Sequence, residues 1–407
     1  MRGKRKIMAN KHNQQDLRQM QALPLEAKIN MTKERIRAWY ESWVRFEIHN
    51  DKTGKTRFVT MDCRDYGAEP QLKEGEWIVS ALPGAVYVSF SGGKDSTVLK
   101  HIVDNTPGVY DVPAVFVNTG LEYPEIQRFV KDVQSGRWDC FNSDVVIVRP
   151  EMRFDEVIKK YGYPVISKEV AHSLHEVSRS RKKGKTGTRR EKRLLGELKD
   201  ANGNPSMFNQ AKYAYLLDAD FDASHICCHV MKKAPAKAYE KETGRKAIIG
   251  TLANESLARK QAWIKNGCNA FESTRPTSQP LSFWTKQDIL HYTQKFNVPY
   301  CPVYGDIVVD LENDAPDEQI NIFDYLGDYE PEDKLKTTGC DRTGCIFCMF
   351  GCHLEGTPNR FQRLKKTHPR QYEYCIGGGE MVDGKWQPSK EGLGLCKVLD
   401  YIGVEYE

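Results

Sequence analysis

A short apolar run, Ala85 to Phe90, breaks at Ser91-Gly92-Gly93-Lys94-Asp95-Ser96 and passes at once into a helical pattern, Asp95 to Asp104. Strand, glycine-rich turn, helix is the repeating unit of a parallel sheet, and its turn lies at the end of the sheet where ligands bind. The turn is not a Walker loop. That pattern needs a glycine five positions before Gly93 and a Ser or Thr after Lys94, whereas this chain has Val88 and Asp95 there. The physical ingredients of a phosphate cradle are nonetheless present. Gly92 and Gly93 leave backbone N–H groups uncovered, and the helix behind them points its positive end at the turn. Ser91 and Ser96 offer hydroxyl donors, and Lys94 offers a compensating charge. Asp95 suits an anion site as a helper for Mg²⁺ or as a carboxylate in the first helical turn. Ser89, Ser91, Gly92, Gly93, Lys94, Asp95 and Ser96 are therefore the candidate phosphate-binding residues. The plain alternative is a tight structural turn between a core strand and a helix.

The same alternation continues. Val112–Asn118, Asp144–Pro150 and Lys246–Thr251 read as further buried strands, with a helix over Pro124–Val133. This predicts an α/β fold with a parallel sheet covered by helices on both faces. The crossover before Lys246 is too long to be simple, so a basic helical insertion is expected over about 169–241. Residues 1–80 read as a separate N-terminal piece, with a helix over Met31–Ile48 that Thr32 could cap and a strand over Thr56–Asp65. The nucleotide domain is expected over 81–305, an acidic loop over 306–335, and a cysteine-rich region over 336–407.

The net charge of +5 says little, but its distribution says more. Arg179–Arg193 carries nine basic residues and one acid, and Asp306–Asp333 carries eleven acids and no base. Each could be a solvated loop; the basic run also suits a grip on nucleic acid. No run reaches the roughly 18 apolar residues of a membrane span, and Met1–Met20 lacks the apolar centre of a secretory signal. A cytoplasmic protein without a membrane partner is expected. Of twelve cysteines, Cys340, Cys345, Cys348 and Cys352 fall within thirteen residues, and Cys227 and Cys228 are adjacent. Such clusters in a reducing compartment bind metal or do redox work. Four thiolates suit a [4Fe–4S] cluster or a structural zinc, and spacing does not decide between them.

With these residues in view, Ser91–Ser96 resembles the PP-loop of the ATP pyrophosphatase (adenine-nucleotide α-hydrolase-like) superfamily, which splits ATP into AMP and pyrophosphate. Val115–Glu125, Gly250–Arg259 and Arg275–Tyr304 resemble, in the expected order, segments of its phosphoadenylyl-sulfate reductase branch. The resemblance implies that Asn118, Gly120 and Glu122 lie near the nucleotide and Gly250 near adenine. It also implies that Arg259 faces phosphate or sulfate and joins Lys94 and Asp95 in catalysis. For Glu122, Glu255 and Arg259 a structural salt bridge is the alternative; Trp284, Ile289 and Tyr292 are expected to be helix packing. Cys227-Cys228 with Cys345-x-x-Cys348 resembles the cluster-binding arrangement of assimilatory adenylyl-sulfate reductases. Six thiols compete for four places, and Cys228, Cys340, Cys345 and Cys348 are the preferred ligands, with Cys227 the first substitute.

Two features depart from the reductases. The C-terminal Glu-Cys-Gly-x-His-like motif is missing, with only Cys375 and Cys396 as substitutes, and the first loop is intact where reductases tend to have a degenerate one. Both favour ATP-consuming chemistry: adenylation of an acceptor, DNA or RNA among the candidates, for sulfur incorporation, as in the sulfur-activating enzyme of DNA phosphorothioation or the cluster-containing tRNA thiolases. ATP or a sulfonucleotide, Mg²⁺ and a [4Fe–4S] cluster are the expected cofactors, with zinc the alternative to the cluster. A sulfur donor such as a cysteine desulfurase and an oligomeric partner are further expectations. The alternatives are a phosphoadenylyl- or adenylyl-sulfate reductase releasing sulfite, and a non-catalytic nucleotide-binding subunit with structural zinc.

Overall fold

The structure is a computed structural model that describes residues 10–64, 68–311 and 333–407. Most of the acidic run, 312–332, lies outside the described residues. The chain opens with α1 (Gln14–Gln21) and α2 (Leu25–Ser42), followed by β1 (Trp43–Asn50), β2 (Lys55–Asp62) and β3 (Glu76–Pro83). The sheet alternation then follows: β4 (Val86–Ser89), α3 (Lys94–Asp104), β5 (Ala114–Val117), α4 (Pro124–Gln134) and β6 (Val145–Val148). Next come α5 (Phe154–Tyr161), α6 (Lys168–Arg181), α7 (Arg189–Leu195), α8 (Ala234–Thr243), β7 (Lys246–Ile249) and α9 (Leu257–Asn266). Short strands β8 (Asn269–Ala270) and β9 (Thr277–Ser278) precede α10 (Lys286–Lys295).

The strands form a six-stranded sheet in the order β6-β5-β4-β7-β9-β8. Every pair is parallel except β8 with β9. The sheet is the mostly parallel α/β sheet that the alternation predicts. The central strands β4, β5, β6 and β7 are mostly apolar because both faces are covered: Val86, Val88, Ala114 and Ile248 are all buried. From β4 the chain winds outward through β5 and β6, then returns to the other side of β4 as β7. The strand order reverses between β4 and β7, where such a sheet leaves a crevice for a ligand beyond its strand ends. Trp284, Ile289 and Tyr292 lie in the core beneath, as packing residues.

The N-terminal piece corrects one expectation. The helix runs from Leu25 to Ser42, with Pro24 at its cap, and does not extend over Met31–Ile48. Thr32 is no cap: it is buried mid-helix, and its hydroxyl accepts the Trp284 indole N–H at 2.9 Å. Trp43–Asn50 leaves the helix because aromatic and β-branched residues there pair on both sides, giving an antiparallel sheet β2-β1-β3. Helical and strand periods overlap over such a short apolar stretch, so the pattern alone did not separate them. Lys28 on α2 is buried and donates to both carboxylate oxygens of Asp288 on α10 at 2.8 Å.

The chain divides into two compact units. Unit 1 comprises 1–117, 123–148 and 236–343; unit 2 comprises 118–122, 149–235 and 344–407. Unit 2 is largely helical and holds α5, α6 and α7 together with three C-terminal helices, Arg360–Thr367, Pro369–Ile376 and Leu395–Tyr401. Among the described residues no helix is long and apolar enough to cross a membrane.

A candidate nucleotide site and a four-thiol pocket

In unit 1 the turn after β4 is built as a cradle. Gly92 adopts φ +69°, and a Cβ there would come within 2.9 Å of Val130 and 3.0 Å of Ile126 on α4. Only glycine satisfies both the conformation and the space. Gly93 precedes α3, and its carbonyl accepts the hydroxyls of Ser96 at 2.9 Å and Thr97 at 3.0 Å. Ser91 is tied back through its N–H to the Ser96 hydroxyl at 3.1 Å, and Ser89 ends β4 between Val115 and Ile249. Gly250, directly after β7, packs on the first turn of α3: an added Cβ would stand 2.9 Å from the Asp95 carbonyl oxygen. The two loops at the sheet's switch point therefore touch backbone to backbone.

A second segment covers the cradle. The Lys94 ammonium donates to the Asp341 carbonyl at 2.6 Å and lies 5.2 Å from the centre of the Tyr304 ring. The Lys94 N–H donates to the Tyr304 hydroxyl at 3.2 Å, and that hydroxyl bonds Thr343 at 2.7 Å. Lys286 pairs with the Asp341 carboxylate at 2.9 Å. Glu255 takes both Arg342, at 2.5 Å, and Arg259. Lys94, Lys286, Arg259 and Arg342 thus face three carboxylates, Asp95, Asp341 and Glu255, beside the positive end of α3. Burial pulls the Lys94 pKa down, against the attraction of Asp95 and Asp341. Burial likewise pushes the Asp95 carboxyl up, opposed by Lys94 and Arg342. Sequence reasoning named Lys94, Asp95, Gly250 and Arg259, which the structure brings together here. It missed Lys286, Tyr304, Asp341, Arg342 and Thr343, although Asp-Arg-Thr between two cysteines was a visible signal.

Unit 2 gathers the thiols. Cys227, Cys228, Cys345 and Cys348 line one pocket with Leu121, Phe154, Pro164, Met231 and Lys232. Cys228 precedes a π-helical turn, His229–Lys233, a wide turn that often marks a functional position. The Cys227 and Cys228 sulfurs are 4.0 Å apart. Cys227 donates to Cys228, which favours the Cys228 thiolate and brings it to about 6, with Lys168 and Lys232 adding to the effect. The Cys227 thiol is pushed up by the same bond. Burial raises Cys345 to about 11 against the pull of Lys232. Cys340 does not line this pocket. It belongs to unit 1, where its N–H donates to the Val303 carbonyl at 3.0 Å. Cys352 is buried and its thiol donates to the Met349 carbonyl at 3.0 Å.

The three residues expected near the nucleotide also fall in unit 2. Asn118 accepts the Gly120 N–H at 3.1 Å, and Glu122 accepts from the Thr119 hydroxyl and N–H at 2.6 and 3.1 Å. Glu122 forms no salt bridge among the described residues, but its charge bears on Lys232 at the thiol pocket. Glu255 and Arg259 do form the structural pair named as the alternative. Among the described residues no three His, Cys, Asp or Glu side chains are drawn to metal-ligating spacing. In kind and number the four thiols fit a tetrathiolate centre, with two lysines to balance its negative charge.

Known proteins were compared with this chain. The phosphoadenosine phosphosulfate reductase domain model matches residues 85–200 and 188–349, from β4 through the Cys345–Cys348 pair. An uncharacterized protein of Methanocaldococcus jannaschii is 38% identical over 79 residues, 19% of this chain and 15% of the relative. The chain thus matches well under two thirds of that relative's length. A solved phosphoadenylyl-sulfate reductase from Candida auris, in a phosphate complex, aligns with 16% identity and a TM-score of 0.30, covering 54% of this chain and 75% of that one.

Proposed function

The chain belongs to the phosphoadenosine phosphosulfate reductase domain family, and from that premise we propose that it cleaves ATP to AMP and pyrophosphate to activate an acceptor for sulfur incorporation. Family membership supports a nucleotide-binding enzyme of sulfur chemistry. The observation that carries the finer reading is the glycine turn Ser91 to Ser96, packed on Gly250, with Lys94 inside it and Lys286, Arg259 and Arg342 close by.

In this reading an acceptor oxygen attacks the α-phosphorus of ATP, the bond to the β-phosphate oxygen breaks, and pyrophosphate leaves. The N–H groups of the Gly92–Lys94 turn bind the departing oxygens, where fixed donors stabilise developing charge without reorganising. Lys94 exchanges its bond to the Asp341 carbonyl for one to phosphate. Tyr304 and Thr343 hold the turn in place, and Asp95 is placed to help bind the Mg²⁺ that accompanies the nucleotide. A sulfur nucleophile then displaces AMP from the acceptor. Cys227, Cys228, Cys345 and Cys348 would hold either an iron–sulfur cluster, which would supply electron transfer or a sulfide-binding site, or a redox-inert zinc, which would brace the fold.

Release of sulfite from a sulfonucleotide is the second reading, favoured by the family match itself. Against it stands the state of the C-terminal thiols. Cys375 is fully buried with its thiol raised well above the ordinary range by burial, and Cys396 is also raised by burial. Cys375, so enclosed, is not a ready nucleophile. The deciding experiment supplies α-labelled ATP and Mg²⁺ to anaerobically purified protein, with adenylyl sulfate and a thiol reductant in a parallel arm. Labelled AMP that disappears in Asp95→Ala supports the ATP reading. Sulfite from the parallel arm with no AMP from ATP overturns it in favour of the reductase.

A further inference from the structure

The basic run takes a definite form in unit 2. It covers the end of α6, a loop over 182–188, and α7. Some of its charge is spent internally: Arg181 pairs with Glu191, Lys182 with Asp222, and Arg190 and Arg193 with Glu169. Among the described residues, Arg179, Lys183, Lys185, Arg189 and Lys192 form no ion pair, and all five are exposed. Glu169, Glu191 and Asp222 are engaged by other cations, and Glu176 on α6 makes no ion pair with any of these five, which face solvent.

The charge continues along α6. Lys168, His172, His175 and Arg179 stand at i, i+4, i+7 and i+11, which places them on one face of the helix. At the near end the Lys168 charge bears on Cys228 of the thiol pocket. At the far end Arg179 joins the basic loop, about 16 Å along the helix axis from Lys168. The His225 ring lies against this stripe, 4.1 Å from His172 and 6.1 Å from His175 between ring centres. Glu176 is the acid beside it.

Next to the loop stands an aromatic platform. Arg193 donates to the Phe208 carbonyl at 2.7 Å and holds its guanidinium 5.9 Å from the ring centre. The ring is nonetheless 61% exposed, and Met207 beside it is 88% exposed. Unpaired cations at spaced intervals beside an exposed, anchored ring match a ligand with a phosphodiester backbone and open base faces. A duplex, whose bases are stacked inside, would leave the ring unused.

We propose that this face of unit 2 binds single-stranded nucleic acid, its backbone following α6 from the basic loop toward the thiol pocket. The inference names the acceptor class for the adenylation proposed above and rests on that reading for its role, though not for the binding.

The test is fluorescence anisotropy of the full chain with a labelled 20-mer, as single-stranded DNA, single-stranded RNA and duplex, across a salt series. Tight single-strand binding should weaken at least tenfold in Arg179→Gln/Lys183→Gln/Lys185→Gln. The slope of log affinity against log salt should fall by about 2, since three phosphate contacts at about 0.7 each are removed. Phe208→Ala should weaken single-strand binding at least fivefold and leave duplex binding unchanged. Lys365→Gln/Lys366→Gln, a double change on a distant-sequence helix, should bind normally, and circular dichroism checks that each variant is folded. Three outcomes overturn the proposal: no binding at 50 mM salt, unchanged affinity in a folded triple variant, or equal displacement by inorganic polyphosphate and by unlabelled strand. AMP release is scored separately. Binding without AMP formation leaves this surface standing and removes the adenylation reading, and the converse removes only the surface.

Discussion

Gly250 and Asp95 meet through backbone atoms, so the cradle's shape depends on a residue with no side chain. Gly250→Ala should lower nucleotide affinity about ten- to a hundredfold, because a displaced first turn of α3 misplaces every donor at once. Isothermal titration with a non-hydrolysable ATP analogue checks this; wild-type affinity would show that the loops do not act together. His101 offers a test of burial. Its ring is buried and bonds the Tyr292 hydroxyl at 2.9 Å, and burial holds its pKa down to about 4, with Lys33 adding to the effect. Between about pH 6.5 and 4 the unfolded chain binds a proton that the folded chain refuses. Stability therefore falls as pH drops through that window, by about 2–3 kcal/mol from this group. Urea midpoints should lose that increment of pH dependence in His101→Gln relative to wild type.

At the scale of elements, α2 is fastened to α10 by the buried Lys28–Asp288 pair, with Thr285 also donating to the carboxylate at 2.9 Å. Lys28→Met should cost about 3–5 kcal/mol, because it leaves a buried carboxylate without its cation. The double change Lys28→Met/Asp288→Leu should recover much of that loss in thermal unfolding. The elements also show how far patterning reaches. β4, β5, β6, β7, α3 and α4 were legible because each is a clean apolar run or helical repeat bounded by turn residues. Trp43–Asn50 was not, since one stretch of eight residues satisfied either period and pairing with β2 and β3 decided it.

On the scale of the whole chain, cysteine spacing identified a cluster but not its members. The pocket in unit 2 brings together Cys227, Cys228, Cys345 and Cys348. Replacement of any of these four by Ser should lower bound iron or zinc in anaerobically purified protein, read by elemental analysis and visible absorbance. Cys340→Ser and Cys352→Ser should retain it. Metal loss in Cys340→Ser with retention in Cys227→Ser would restore the set that spacing preferred.

The alternating α/β order, the glycine turn after β4 and the grouping of cysteines were all readable along the chain. These are local matters: period, glycine placement and neighbouring residues carry them within a dozen positions. The tertiary structure decided that Asp341, Arg342 and Thr343 close over Lys94, and that Cys227 rather than Cys340 joins the pocket. Those contacts link residues more than a hundred positions apart, where no periodicity connects them and only the packing of each unit selects which side chains meet.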